Sequence, residues 1–129
     1  LNQQPEFDGG KVGPFFSRVQ EQIVESMKNG DVSAEAVALA LNCSLRTFYR
    51  QLRSAGYSYR GLLAHTRHTL ARQYLADAAQ TQTDVAFLLG YSEQSSFIRA
   101  FRSWTGMTPG EYRTHLMQNR KGARLHRSG

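Results

Sequence analysis

The hydrophobic positions of the chain recur at helical spacing, and the pattern occurs twice. Residues 37–41 (Val-Ala-Leu-Ala-Leu) and 85–89 (Val-Ala-Phe-Leu-Leu) are short apolar segments offset by 48 positions. After a turn, each is followed by a segment with two apolar residues four apart: Phe48 and Leu52, then Phe97 and Phe101. Residues four apart share one face of an α-helix. Two tandem copies of helix, turn and one-sided helix predict a pair of helix-turn-helix motifs.

A further helix is predicted to begin at Pro14, because proline is tolerated in a first helical turn. Its apolar face consists of residues at helical spacing: Phe15, Val19, Ile23 and Met27. Asn29-Gly30 ends it. This stripe indicates a helix that packs against the rest of the domain.

Short polar side chains that cap helices mark where other helices begin. They predict helices over 34–41, 45–54 and 84–89, capped by Ser33, Ser44 and Thr83. We call the second helix of each motif its recognition helix, and Gly106 is predicted to end the recognition helix of the second motif. A capping box of Thr108 and Glu111 then predicts a last helix that runs to about Gln118, with Tyr112 and Leu116 facing inward.

The longest periodic segment covers 58–79 and carries one apolar side: Tyr59, Leu62, Leu63, Thr66, Leu70 and Tyr74. A helix over this segment would measure roughly 33 Å at about 1.5 Å per residue. Successive major-groove segments on one face of B-DNA lie about 34–36 Å apart. The segment therefore predicts a rigid spacer that holds two recognition helices about one DNA turn apart.

Together these signals predict an all-α fold of about seven helices. Two helix-turn-helix subdomains, 14–56 and 80–118, are joined by a long linker helix over 57–79. Residues 1–13 lack periodicity and contain Pro5 and Asp8-Gly9-Gly10, which predicts a linker. Residues 119–129 are predicted to be a frayed basic tail. Because the chain begins at Leu1 rather than Met, we expect it to belong to a longer protein with another domain upstream.

The distribution of charge indicates the class of partner. The 129 residues hold 16 Lys and Arg against 10 Asp and Glu, a formal net charge of +6. No acidic residue occurs between Ala36 and Ala76 or after Tyr112, whereas basic residues accumulate in both stretches: Arg46, Arg50, Arg53, Arg60, Arg67 and Arg72, then Arg113, Arg120, Lys121, Arg124 and Arg127. Clustered positive charge indicates a polyanion, with nucleic acid ahead of an anionic membrane.

Polar side chains surround the apolar face of each recognition helix and are candidates for DNA contacts. Arginine binds guanine edges through two hydrogen bonds, a contact that gives about 1–3 kcal/mol of discrimination. The candidates in the first recognition helix are Ser44, Arg46, Thr47, Tyr49, Arg50 and Arg53. Those in the second are Gln94, Ser95, Ser96, Ile98, Arg99 and Arg102.

The sequence gives little support for a metal site or for catalysis. His65 and His68, with Cys43 or His115, could suggest a metal site, but a structural zinc site needs four spaced ligands. We interpret them as surface or packing histidines, and Cys43 as a packing residue in a turn. The single cysteine suits a reducing cytoplasm. No nucleophile elbow, phosphate loop, signal peptide or long apolar run is visible, so we predict a cytoplasmic non-enzyme without a cofactor, a metal or a membrane span.

Three motifs in the second half resemble the AraC/XylS family of bacterial transcription regulators. They are Val-Ala-Phe-Leu-Leu-Gly-Tyr-Ser from Val85, Phe-x-x-x-Phe-x-x-Trp-x-Gly from Phe97, and Thr-Pro-x-x-Tyr-Arg from Thr108. The resemblance is close over 75–113 and looser back to Phe15. It implies a seven-helix domain whose two recognition helices enter adjacent major-groove segments of promoter or operator DNA. It also implies an N-terminal domain that binds an effector or dimerises, and it makes Arg46, Tyr49 and Arg50 base-reading candidates, with Gln94, Ser95, Ser96, Ile98 and Arg99 on the matching surface.

Two other functions fit parts of the pattern. A helical interaction module could dock an acidic protein partner such as RNA polymerase, alone or together with DNA binding. Attachment to a membrane surface would need a basic amphipathic helix with bulky apolar residues free to insert. Because the apolar stripes of this chain are needed for packing, we consider the membrane hypothesis the weaker one.

Overall fold

The computed structural model describes the backbone of residues 13–128 and the side chains of residues 13–120. Within this range the chain forms seven α-helices and no strand, which confirms the predicted all-α architecture. The helices are α1 (Pro14–Asn29), α2 (Ala34–Ala40), α3 (Leu45–Ser54), α4 (Tyr59–Leu75), α5 (Gln82–Leu88), α6 (Gln94–Thr105) and α7 (Pro109–Ser128). The predicted linker lies, apart from Gly13, outside the described residues.

The chain folds as two compact units that divide between Arg67 and His68, inside α4. The N-terminal unit contains α1 to α3 and the first part of α4. The C-terminal unit contains the rest of α4 with α5 to α7. Each unit therefore holds one copy of the repeated motif and has a hydrophobic core of its own.

The core of the N-terminal unit surrounds the fully buried ring of Phe48, whose centroid lies 5.5 Å from that of Tyr59 and 6.4 Å from that of Phe15. Three of the four positions predicted for the face of α1 are buried: Val19, Ile23 and Met27. Phe15 is only half-buried. Its neighbour Phe16 takes the core position, where its ring centroid lies 4.6 Å from that of Tyr57.

Aromatic side chains of α6 form the centre of the C-terminal unit. Phe97 and Phe101 are fully buried, and their ring centroids lie 5.9 Å apart. Tyr112 of α7 faces inward as predicted, and its ring centroid lies 5.3 Å from that of Phe101. The indole of Trp104 stacks on the imidazole of His68 at 5.3 Å. The apolar face predicted for the second recognition helix is therefore the face that holds this unit together.

The linker helix α4 is shorter than predicted, since it covers 17 residues, Tyr59–Leu75, rather than 58–79. Beyond Leu75 the chain turns, and Asp77 Oδ1 accepts a hydrogen bond from the backbone N of Ala79 at 3.0 Å. Aspartate side chains that bind nearby backbone N–H groups favour turns over helix. A helix of this length measures about 26 Å. The predicted match between its length and one turn of B-DNA is therefore wrong.

Two arginines of α7 bind the end of α4. Arg113 Nε donates to the carbonyl of Leu75 at 3.0 Å, and Arg120 Nη2 donates to the carbonyl of Ala76 at 3.2 Å. The last carbonyls of a helix lack intrahelical donors, so these guanidinium groups stabilise its end. The helix α7 continues past Gln118 to Ser128, so the prediction that it ends at about Gln118 was wrong. The predicted basic side chains further on lie outside the described residues: Lys121, Arg124 and Arg127.

Most of the predicted helix starts are confirmed, and one is wrong. Ser33 and Ser44 cap α2 and α3, and Thr108 and Glu111 exchange the two hydrogen bonds of a capping box. The cap of α5 is Thr81 rather than Thr83.

Thr81 forms a capping box with Asp84. The Asp84 N–H donates to Thr81 Oγ1, and the Thr81 N–H donates to Asp84 Oδ2, both at 3.0 Å. The hydrogen bonds from the backbone and then the side chain of Thr81 lower the pKa of the Asp84 carboxyl. Because the folded-state pKa is lowered, the stability that this carboxylate contributes is present above the unfolded-state pKa and is lost as the pH falls through the folded-state pKa.

We expect Thr81→Ala to lower the free energy of unfolding by about 1 kcal/mol, because a lost N-cap hydroxyl has this typical effect. Thr83→Ala is the matched control and should lower stability less than Thr81→Ala, since Thr83 caps no helix and its hydroxyl donates to the exposed side chain of Gln94 at 2.7 Å. Urea unfolding followed by Trp104 fluorescence measures both. Equal losses in the two variants would contradict the assignment of Thr81 as the cap.

Candidate nucleic-acid interface

The two motif copies share one turn geometry. Asn42 and Gly90, offset by 48 positions, both have a positive φ, 60° and 85° respectively. This left-handed conformation is open to glycine and tolerated by asparagine. The next residues, Cys43 and Tyr91, each donate an N–H to the carbonyl five residues earlier at 3.0 Å. The repeat in the sequence therefore corresponds to one backbone arrangement that is built twice and that leads into α3 and α6.

Each recognition helix places an arginine opposite a buried phenylalanine. Phe48 and Phe97 are fully buried. At 3.6 residues per turn, the residue two positions later lies on the opposite side of the helix. These positions hold Arg50 and Arg99, which are both exposed. Three residues further on, a second pair of exposed arginines repeats at the same offset of 49: Arg53 and Arg102.

The arginines of the recognition helices have free side chains as far as residues 13–120 show. Across residues 13–120, none of them has a hydrogen-bond or ion-pair partner: Arg46, Arg50, Arg53, Arg99 and Arg102. By contrast, Arg72 Nε donates to the hydroxyl of Tyr112 at 3.3 Å, and the guanidinium groups of Arg113 and Arg120 bind carbonyls. Among residues 13–120, most of the arginines without a partner therefore lie on α3 and α6.

The other candidates on α3 divide between the start of the helix and its exposed side. Ser44 Oγ accepts from the backbone N of Thr47 at 3.1 Å and donates to Thr47 Oγ1 at 3.0 Å, so both hydroxyls help to begin the helix. Tyr49 is 42% exposed, and its ring centroid lies 6.1 Å from that of Phe48. The structure brings the whole α3 set together on one helix of the N-terminal unit, and the role of each residue toward DNA stays a prediction.

The candidates on α6 lie together in the C-terminal unit. Gln94 is exposed, and its Oε1 accepts a hydrogen bond from Thr83 Oγ1 at 2.7 Å. Ser95 Oγ donates to Glu93 Oε1 at 3.4 Å. Ser96 and Ile98 are half-buried, whereas Arg99 and Arg102 are exposed. The helix therefore presents two arginines together with polar side chains that are already oriented at its beginning.

Two residues near these helices were not among the predicted contacts. Thr83 of α5 orients Gln94 through the hydrogen bond described above. Arg60, in the first turn of α4, lines a cavity together with Tyr49 and Arg53 of α3. The acid-free stretch after Ala36 contains Arg60, but only the fold shows that it lies beside the recognition helix.

His65 and His68 occupy packing environments, whereas His115 is exposed. The imidazole of His68 stacks on Trp104, and burial lowers the pKa of His65. Across residues 13–120, no three His, Cys, Asp or Glu side chains are grouped as metal ligands. No described helix has both the length and the apolar character that crossing a bilayer requires.

Comparison with known proteins agrees with this arrangement. A family described as a helix-turn-helix domain matches residues 37–115. The regulator VirS of Mycobacterium tuberculosis is 40% identical over 106 residues, which cover 79% of this chain and 31% of VirS. The ornithine utilization regulator of Pseudomonas aeruginosa is 42% identical over 79 residues, which cover 61% of this chain and 23% of that protein. The chain thus spans about a third or less of the length of these relatives.

A solved structure has a similar fold. The C-terminal domain of AraT, a response regulator from Geobacillus stearothermophilus, superposes with a TM-score of 0.71 at 27% sequence identity. The similarity covers 81% of this chain and 88% of that domain. It therefore extends over both helix-turn-helix copies and α4 between them.

Proposed function

Because the chain belongs to the AraC-type helix-turn-helix family of DNA-binding transcription regulators, we propose that it reads double-stranded DNA with two recognition helices. In this proposal α3 and α6 enter adjacent major-groove segments of a promoter or operator and control the initiation of transcription. The first copy of the motif reads one segment and the second copy reads the next.

The observation that carries the proposal is the repeated exposure of unpaired arginines. Arg50 and Arg99 occupy the same position in the two copies, opposite a buried phenylalanine. Neither side chain has a partner in the described part of the protein. The planar guanidinium group matches the two acceptors of a guanine edge in the major groove. A surface that only solvated its charges would not need the same residue at the same point of two helices.

The two helices differ at other equivalent positions, which favours an asymmetric DNA site. Arg46 of α3 corresponds to Ser95 of α6, and Tyr49 corresponds to Ile98, at an offset of 49. Palindromic operators mirror two identical reading units. Since one chain supplies two unlike helices here, we expect each helix to select its own base sequence and the site to lack two-fold symmetry.

Selection from a pool of random duplexes tests the proposal, followed by hydroxyl-radical footprinting on the enriched sequence. We expect a non-palindromic sequence and two protected patches on one face, about 10–10.5 base pairs apart. Enrichment of no sequence would refute sequence reading. A single protected patch would leave one recognition helix without a role in the groove.

A second candidate function is docking of a protein partner such as a subunit of RNA polymerase. Two exposed apolar side chains at equivalent positions favour it: Leu39 on α2 is 79% exposed and Phe87 on α5 is 61% exposed. A pure interaction module would bind selected and random duplexes equally at every salt concentration. If docking accompanies DNA reading, Phe87→Ser should keep the DNA affinity and lose binding to purified polymerase.

A further inference from the structure

A cavity of about 320 Å³ lies in the N-terminal unit, where α3 ends and α4 begins. Tyr49 and Arg53 of α3 form one part of its wall, and Ser58, Tyr59 and Arg60 form another. Arg60 does not belong to either recognition helix. The cavity is therefore built by two elements, one of which carries the proposed base-reading residues.

The charged residues that line this cavity are all basic. Arg53 and Arg60 are exposed, and neither has a hydrogen-bond or ion-pair partner within residues 13–120. None of the lining residues is acidic. The hydroxyl of Tyr59 donates a hydrogen bond to the carbonyl of Val32 at 2.8 Å. Burial raises the pKa of Tyr59 to about 12, so the phenol remains neutral. Two guanidinium groups thus line the cavity with no acidic residue in its wall, while Asp31 interacts with Tyr59 from outside the wall.

The polar groups of the cavity suit an oxyanion. Ser58 Oγ accepts a hydrogen bond from the backbone N of Gly61 at 3.0 Å, which leaves its own hydrogen free to be donated. Guanidinium groups bind phosphate oxygens through two parallel hydrogen bonds. Hydroxyl groups such as those of Ser58 and Tyr49 are common phosphate donors in DNA complexes. These donors therefore suit an anionic oxygen acceptor such as a phosphate group and disfavour a cationic amine.

The position of the cavity distinguishes backbone phosphate from free phosphate. Tyr49 and Arg53 lie on α3, the helix that also carries Arg46 and Arg50. When α3 lies in a major groove, the sugar-phosphate strand at the edge of that groove is the nearest source of phosphate. Contacts to phosphates fix the register of a protein on the duplex without reading its sequence.

We propose that this cavity binds one phosphate of the DNA backbone through Arg60 and Arg53 and thereby sets the register of α3 in the groove. The inference rests on the proposed DNA-binding function and adds Arg60 as a residue that orients the reader. A phosphate bound between α3 and α4 fixes the position of the recognition helix along the DNA strand.

The first test compares Arg60→Ala with Lys28→Ala on the selected duplex and on random duplex. Lys28 is an exposed cation of the same unit that pairs with Glu25 at 3.2 Å. For Arg60→Ala we expect a loss of affinity of about 3- to 10-fold that is equal on both duplexes, and a salt dependence weaker by about one phosphate contact. Lys28→Ala should change affinity by less than about 2-fold. A loss confined to one base position would overturn the proposal, because Arg60 would then read a base.

The second test locates the phosphate. Neutral methylphosphonates replace the phosphates of the selected duplex one at a time, and binding of each is measured with the wild type and with Arg60→Ala. We expect one substitution that weakens the wild type about 3- to 10-fold and leaves Arg60→Ala unaffected, because both changes remove the same contact. Equal sensitivity of the two proteins at every phosphate would overturn the proposal.

A third arm separates the sources of phosphate. Inorganic phosphate and a nucleoside monophosphate are titrated into the wild-type protein, with binding followed by calorimetry and by NMR. We expect weak binding that the selected duplex displaces. Saturable binding that persists on the DNA complex would overturn the assignment to the DNA backbone.

The failure of this inference is distinguishable from the failure of the proposed function. If the wild type enriches no sequence while Arg60→Ala still weakens random duplex, sequence reading fails and the phosphate contact stands. If the wild type enriches a sequence and Arg60→Ala binds as well as the wild type, the phosphate contact fails and sequence reading stands.

Discussion

Replacement of Phe97 by Ala is expected to lower the free energy of unfolding of the C-terminal unit by about 3–5 kcal/mol. The side chain is fully buried, and its ring centroid lies 5.8 Å from that of Tyr91 and 5.9 Å from that of Phe101. The substitution removes these contacts and leaves a cavity that the helices fill only partly. Because small domains are stable by about 5–15 kcal/mol in total, the variant should lose a large part of its stability.

Urea unfolding measures this loss through Trp104, the single tryptophan of the chain. Its ring centroid lies 6.1 Å from that of Phe101, so its fluorescence reports the core around α6. Phe87→Ala is the matched control, since it removes the same side chain at a position that is 61% exposed. It should change stability by no more than about 0.5 kcal/mol. A similar loss in both variants would mean that α6 does not use Phe97 as its anchor.

The repeat made most of this fold predictable from the sequence. Phe48 and Phe97 occupy the same position in the two copies. A position that is apolar in both copies is stronger evidence for a core residue than an apolar position in one copy. The two core faces, the turn positions and the four helices of the two motif copies follow from the repeat, whereas α1, α4 and α7 were predicted from their own apolar spacing and capping residues. The same reasoning explains why Arg50 and Arg99 were predicted to be exposed: a helix that buries one face turns the opposite face outward.

The cap of α5 was predicted wrongly, although the repeat itself indicates the correct residue. Thr81 lies 48 positions after Ser33, the cap of α2, and it begins a Thr-x-x-Asp pattern with Asp84. Both signals are present in the sequence and both indicate Thr81. The periodic spacing of apolar positions instead favoured a helix over 58–79, with Thr83 as the cap of the next helix.

The end of α4 could not be predicted from local sequence. Leu75 is its last residue because the chain then turns at Asp77, and because Arg113 and Arg120 bind the freed carbonyls from α7. Those arginines are far away in the sequence, so no pattern within α4 reports them. Both arginines were predicted to contribute to a positive surface that attracts a polyanion, yet in the structure they bind the carbonyls at the end of α4. The neighbourhood of Arg60 was hidden for the same reason, since only the fold brings it to α3.

The prediction that tests base reading most directly concerns Arg99. We expect Arg99→Ala to weaken binding to the selected duplex by about 1–3 kcal/mol and to relax the preference at one base position. The side chain is exposed and without a partner in the described part of the chain, so its removal leaves the core intact. Fluorescence anisotropy with the selected duplex and its single-base variants measures both effects. Equal weakening on every sequence would assign Arg99 to a phosphate instead.

Arg99→Lys separates the shape of the side chain from its charge. Lysine keeps the positive charge but lacks the planar fork, so we expect it to lose most of the base preference and to keep the salt dependence. The equivalent pair, Arg50→Ala and Arg50→Lys, should behave likewise at a different base position. Since the two arginines lie in separate compact units, the losses in the double variant Arg50→Ala/Arg99→Ala should add to within about 0.5 kcal/mol. Losses that fall well short of the sum would mean that the two helices do not bind the duplex at the same time.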